Sequence, residues 1–141
     1  MDRIAARFAA QGLVAHLGLR LAQSEPGHCV IEVPFGDHLT QHSGFFHAGV
    51  LTTLADNACG FAALSLMPEG LEVLSVEFKV SFMRPAAGMI ARATGRVLKS
   101  GRTLSFCQAE VHVVQEHGTE VHCATMLATM MGVAHGRSEA G

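Results

Sequence analysis

The chain contains no tryptophan and no tyrosine, so its aromatic chemistry rests on eight phenylalanines. It is also poor in charge. Asp, Glu, Lys and Arg make up 16% of the 141 residues, against about a quarter in an ordinary soluble domain. The formal net charge is −2 with neutral histidine. No basic stripe with interleaved aromatics is present, which argues against a nucleic-acid partner. No apolar run approaches the length needed to cross a bilayer, and the opening "MDRIAARFAAQG" lacks the hydrophobic region and cleavage pattern of a signal peptide. These absences predict a soluble, cytoplasmic protein with no membrane partner. The four cysteines, Cys29, Cys59, Cys107 and Cys123, form no CxxC pair and each lies in an apolar stretch. Buried free thiols are the expectation.

What the chain has in quantity is apolar surface, 49% of residues. That suffices for a core, and the length suits one domain spanning residues 1–141. So little charge on so small a protein implies that part of its surface is covered, and we expect a homo-oligomer.

Residues 2–10 read as a short helix that Gly12 ends, making residues 1–12 an N-terminal helical arm. Strands are predicted over 15–23 and 28–35, with "SEPG" at 24–27 as the turn between them. A loop over 36–46 leads to a long helix from His47 to Met67, stopped by "PEG" at 68–70. Four strands follow, over 72–82, 89–98, 103–114 and 120–131, joined by tight turns. Residues 132–141 read as a flexible tail. In 72–82, Leu74, Val76, Phe78, Val80 and Phe82 alternate with Val73, Ser75, Glu77, Lys79 and Ser81, and the first set is assigned to the core. The order predicts an α+β architecture: a long central helix wrapped by a curved antiparallel sheet of about six strands.

The informative stretch is "HSGFFHAGVLTTLADNACG" at 42–60. On a helical wheel, Val50, Leu54, Phe61 and Leu64 form a stripe suited to the sheet. The opposite side carries Thr52, Thr53, Asp56, Cys59, Gly60 and Ala63. These are small and nearly uncharged, so the helix should be covered on almost every side. Asp56 is the one formal charge in it, and an unpaired buried carboxylate costs several kcal/mol. The helix start, "HAG" at 47–49, presents backbone N–H groups beside small side chains, an arrangement that binds anions or a polarised carbonyl. Asp56 lies roughly 12 Å along the axis from that start. One chain's Asp56 therefore cannot easily face its own helix start, whereas that of a two-fold partner could.

"HAGVLTTLADNACGFAALS" resembles the hotdog-fold acyl-CoA thioesterases of the phenylacetate-degradation (PaaI-like) branch. "SVEFKVSFMRPAAG" is similar to that branch's strand and Pro-Ala-Gly turn. The likeness covers about residues 28–131. It implies a hotdog fold, sites between subunits of a homodimer or dimer of dimers, and hydrolysis of an acyl-CoA without a cofactor, coenzyme A being part of the substrate. By position, it implies Asp56 as nucleophile or general base and the Ala48 and Gly49 N–H groups as carbonyl polarisers. His47 would shape the helix start, Gln41 would bind the carbonyl or the lytic water, and Ser75 would position that water. The chain departs from the pattern at Ala48, where relatives carry glycine. It also departs at Gln41, where many carry Asn, and at Gly60, where some carry Ser or Thr.

Rival readings come from the residues themselves. Asp56 could be a structural carboxylate satisfied by Thr52, Thr53 or backbone. His38, His42 and His47 could suggest a metal, but no HExxH accompanies them, and no metal is expected. His112, His117 and His122 read as hairpin surface. Phe45 and Phe46 are candidates to line an acyl pocket, with core packing equally open. Among the basic residues that could meet coenzyme A phosphates, Arg84 is the first choice. Other functional classes are a hotdog enoyl or 3-hydroxyacyl thioester (de)hydratase and a non-catalytic acyl-CoA-binding protein. With only Phe for aromatic contacts, aryl and medium-chain acyl groups are not separated.

Overall fold

The alanine- and leucine-rich run after His47 folds as its composition favours, into a helix across the concave face of one sheet. A computed structural model describes residues 2–134. Two short helices, α1 (Arg3–Ala9) and α2 (Gly12–Leu17), precede strands β1 (Arg20–Glu25) and β2 (His28–Pro34). A 3-10 turn at Asp37–Leu39 leads to the central helix α3 (Ala48–Leu64). Four strands follow: β3 (Leu71–Phe82), β4 (Ile90–Ser100), β5 (Leu104–Val114) and β6 (Glu120–Ala134). The sheet order is β1-β2-β4-β5-β6-β3, and every pairing is antiparallel. This is the α+β hotdog arrangement of six strands around one helix.

The core lies between α3 and the concave sheet face. Leu54 and Leu64 of the helix are fully buried, as are Ile31, Val33, Val111, Val113, Met126 and Met130 of the strands. Helix and sheet approach most closely at β4. A Cβ on Gly95 would sit 2.5 Å from the carbonyl carbon of Ala58, so only glycine lets the two backbones meet there. On the same inward face of β4, Ala91 and Ala93 are fully buried and Val97 packs against the core.

Five local expectations change. Residues 15–17 are helical, because Gly12 opens α2 rather than closing α1. The helix ends at Gly18, whose φ of +82° is the left-handed cap glycine favours. Helix α3 stops at Leu64, three residues early, because the chain tightens into i→i+3 bonds, Leu66 N–H to Ala63 O and Met67 N–H to Leu64 O, ahead of Pro68, which has no N–H to offer. Residues 132–134 continue β6 and pair with Leu71, Glu72 and Val73. The rest of the expected tail, 135–141, lies outside the described residues. Strand β4 runs on through Lys99 and Ser100, expected in the turn, which pair with Phe106 and Ser105; on the neighbouring hairpin His112 and His122 stand opposite each other in β5 and β6, stacked at 4.8 Å.

The fifth change matters most for function. A β-bulge interrupts β3 between Ser75 and Glu77. Directly paired residues share a sheet face, so partners in β6 reveal the sides. Ser75 pairs with buried Met130, and Phe78, Val80 and Phe82 pair with buried Ala128, Met126 and Ala124. The extra residue flips the alternation. Before it, Ser75 points inward and Leu74 outward; after it, Phe78, Val80 and Phe82 take the inner side. Leu74 and Val76 are accordingly exposed, at 56% and 53%, and even on the inner side Phe78 and Phe82 of this edge strand are 41% and 46% exposed, so of the five residues assigned to the core only Val80 packs against it.

Candidate functional site

The loop before α3 is built to present the helix start. Thr40 bridges to Phe46 across it. The Gln41 side-chain oxygen accepts from the backbone N–H groups of Ser43 and Phe45, and Gly44 takes a φ of +89° in the turn. Phe46 is buried against Phe35, edge to face at 5.3 Å, so it anchors the loop to the core. The backbone is pinned as well, through Phe46 N–H to Ala86 O at 3.0 Å and His47 N–H to Leu39 O at 2.8 Å.

His47 is the N-cap of α3. Its Nδ1 accepts from the Gly49 N–H at 2.8 Å, which places the proton of the neutral ring on Nε2. The Ala48 N–H makes no hydrogen bond among the described residues. His47, Ala48 and Gly49 are all exposed. The helix start therefore leaves one backbone donor open, the Ala48 N–H, at the positive end of the helix dipole.

Asp56 lies two turns further on and is half-buried. The Ser75 hydroxyl donates to its Oδ1 at 2.6 Å, a bond made possible by the bulge that turns Ser75 inward. Thr52 and Thr53 do not satisfy the carboxylate. Each donates its hydroxyl to its own helix, to Ala48 O and Gly49 O, both at 2.8 Å. No lysine or arginine pairs with Asp56 among the described residues, and its Oδ2 makes no hydrogen bond there.

Asp56 and Ser75 open on a cleft of about 250 Å³, floored by Gly60, Phe61 and Met130. Four further polar residues line it: Arg7, Gln11, Asn57 and Glu72. None was picked out from the sequence. Gln11 Nε2 donates to Asn57 Oδ1 at 2.8 Å, and Arg7 forms an ion pair with Glu72 at 2.7 Å. Glu72 raises the Arg7 guanidinium further above its ordinary value through that bond. A lone Asn at a helix position that is otherwise apolar was the available signal, since a buried amide needs a partner.

The candidate residues thus fall into two groups within one chain. Gln41, Phe45, Phe46, His47, Ala48 and Gly49 gather at the helix start; Asp56 and Ser75 meet in the cleft. Arg84 joins neither contact network: its Nη1 donates to His122 O at 2.9 Å. His38 sits in the 3-10 turn, its Nε2 3.4 Å from Leu17 O. Among the described residues no three His, Cys, Asp or Glu side chains are grouped to hold a metal ion. All four cysteines are free and buried. Burial pushes the Cys29 thiol up to about 12 and that of Cys107 up to about 11, and raises Cys59 and Cys123 as well. No helix among the described residues is long and apolar enough to cross a membrane.

The family profile described as the Thioesterase superfamily matches residues 43–120. A protein of Halobacterium salinarum named as an esterase is 34% identical over 109 residues, 73% of this chain and 70% of its own length. The crystal structure of a thioesterase family protein from Silicibacter pomeroyi superposes with a TM-score of 0.91 at 42% identity, covering 94% of this chain and 96% of that one. The PaaI protein of the Escherichia coli phenylacetic acid degradation operon superposes with a TM-score of 0.78 at 22% identity, covering 92% and 90%. That last likeness is one of fold alone.

Proposed function

This chain belongs to the Thioesterase superfamily, and on that premise we propose that it hydrolyses an acyl-coenzyme A to a free acid and coenzyme A. The observation that carries the reading is the Asp56 carboxylate. It is half-buried in an apolar helix, has no cation beside it, and is held through one oxygen by Ser75 at the wall of a cleft. A carboxylate so placed keeps one oxygen free to face the cleft, which suits a base or nucleophile.

Two routes are chemically balanced. As general base, Asp56 takes a proton from water while the water oxygen bonds to the thioester carbon. As nucleophile, its own oxygen bonds to that carbon, and water later cleaves the resulting anhydride. Either way the C–S bond breaks and the coenzyme A sulfur leaves as thiolate, then takes up a proton. Either way the carbonyl oxygen gathers negative charge. The Ala48 N–H and the Gly49 N–H would receive it, the latter exchanging the His47 Nδ1 for the substrate oxygen. Gln41, at the same loop, would offer its amide N–H₂ to the carbonyl or the water, while Ser75 holds the Asp56 oxygen that orients the water.

Within one chain the two parts are separated by about 12 Å along the helix axis. The reading therefore requires a second copy, each chain's helix start serving its partner's Asp56. Self-association as a homodimer or dimer of dimers is supported by the free edge of β3 and by exposed Leu74, Val76, Leu98, Phe106 and Leu127. Phe45 and Arg84 would contact the acyl group and the coenzyme A phosphates. The reaction needs no cofactor. The "HAG" motif and the "Pro-Ala-Ala-Gly" turn favour the PaaI-like branch, acting on aryl or medium-chain thioesters in the cytoplasm.

The test is release of free thiol from a panel of aryl and aliphatic acyl-CoAs. The protein's own buried thiols stay silent in such an assay. Asp56→Asn keeps an acceptor for Ser75 and should lose about 10²–10⁴ in rate. Near-wild-type release by that variant would sink the proposal. Loss of an enoyl chromophore without thiol release would instead identify a hydratase, and binding without product a carrier.

A further inference from the structure

The family profile begins at residue 43, yet Arg7 and Gln11 of the N-terminal arm line the Asp56 cleft. That arm is firmly built. Arg3 donates to the last carbonyl of α3, Leu64 O at 2.8 Å, and to two just beyond the helix, Met67 O at 2.9 Å and Pro68 O at 3.0 Å. One turn on, buried Phe8 packs edge to face on Phe61 at 6.0 Å. Gln11 then reaches Asn57, the residue after Asp56. The arm thus runs antiparallel to α3, with Gln11 beside the carboxylate and Arg3 at the helix end. Strand β3 forms the facing wall, from Ser75 opposite Asp56 back to Glu72. Arg7 and Glu72 join across the gap, and their ion pair shuts the cleft at the end away from the carboxylate.

Gly60 supplies the second, independent observation. Glycine inside a helix costs about 1 kcal/mol relative to alanine. Elsewhere in the core glycine is needed, as at Gly95, but at Gly60 nothing demands it. An added Cβ would meet only a Val73 methyl, at 3.9 Å, and the vacant space is the cleft itself. The missing side chain keeps the cleft wide.

We propose that Gly60 and the Arg7–Glu72 pair set the size of the acyl group this protein accepts. Gly60 gives the cleft its width and the ion pair its end. A volume of about 250 Å³ lies just below the roughly 300–1,000 Å³ of ordinary small-molecule clefts. The ligand class is therefore a compact acyl group, aliphatic or monocyclic, with longer chains excluded by the arm. This inference rests on the acyl-CoA reading above, and its test is kept separate from turnover.

The probes are non-hydrolysable S-alkyl-coenzyme A thioethers, from ethyl to hexadecyl, with binding measured by calorimetry. In the wild type, affinity should rise about fourfold per methylene up to a limiting chain well short of hexadecyl and then stop rising. Arg7→Ala and Glu72→Gln, which break the pair from opposite sides, should each extend the rise by two or more methylenes. Gly60→Leu should act in the opposite sense and end the rise at a shorter chain than in the wild type, with melting curves showing the fold intact. Opposite shifts in the two kinds of variant are not produced by general loss of structure. An unchanged length limit in all three variants overturns the proposal, even where thiol release is robust. Failure of every thioether to bind overturns it together with the acyl-CoA reading. A length limit that moves as described, without any hydrolysis, sustains this proposal and sinks the hydrolase.

Discussion

The two ends of α3 are finished in different ways. At its C-terminal end the Leu64 carbonyl, and that of Met67 just beyond the helix, accept from Arg3, a cation placed where the helix dipole is negative. The arm lies over that end, and Leu64 is fully buried. At its N-terminal end one donor is left open. His47 caps Gly49, Ala48 has no partner among the described residues, and all three residues are exposed. A chain that spends an arginine and a helical arm on one end has the means to cover the other. Leaving the Ala48 N–H open, on a loop braced by Gln41 and Phe46, is what a site for an incoming oxygen requires.

Substitutions can break or sharpen that contrast. The largest effect should come from Ala48→Pro. Proline is tolerated at the first helical position, and His47 already has the extended backbone, ψ 140°, that proline demands of its predecessor. The variant deletes one outward N–H without disturbing the helix. Thiol release should fall about 10²–10³ while the melting temperature holds; full activity would show that the open end is unused. Arg3→Ala attacks the sealed end. It removes three charge-assisted bonds and should lower stability by about 1–3 kcal/mol, read as a shift in urea midpoint at constant slope. His47→Ala should cost about 1 kcal/mol as a lost N-cap, and His47→Asn should restore most of it, by the same denaturation measurement. The smallest effect is on alkaline stability. Cys107 and Cys29 are held protonated in the fold, up to about 11 and about 12, against an ordinary thiol value of 9.0. Below about pH 9 both folded and unfolded thiols are neutral and this contribution is complete. As pH rises from about 9 towards 11 the unfolded chain ionises first, so the urea midpoint should fall across that window. A flat profile there would show the thiols less buried than described.

Much of this was legible in the sequence because it is local. Alternation in the strands, the turn glycines and prolines, and the alanine-rich helix with its histidine start all act within a few residues. Asp56 stood out because it is the one charge in an apolar helix. The rest depends on pairings between distant residues. Nothing in "LEVLSVEFKV" announces a bulge, since both readings of its alternation leave one face mostly apolar. Strand β3 was therefore assigned the wrong face before Val76, and Ser75 with it. Helix α2 was missed because Leu17, Leu19 and Leu21 mimic a strand, whereas the deciding feature is the left-handed Gly18. The arm's contribution was invisible for a simpler reason: Arg7 meets Glu72, and Gln11 meets Asn57, across 65 and 46 positions of sequence.

The bulge in β3 also bears on how such a site could change over generations. Removing one residue at Val76 would leave composition and hydropathy almost untouched, and the strand could still pair with β6. Val76 is the residue without a partner, so its loss would leave Ser75 opposite Met130 and Phe78 opposite Ala128 in one unbroken alternation. What would change is the local bend and twist that the bulge imposes, and with them the reach of the Ser75 hydroxyl to Asp56. A single in-frame codon deletion could thus retune the hold on the carboxylate in one step, with no catalytic residue altered. Gaps at this point in related chains are therefore a place to look for lineages in which the chemistry has shifted.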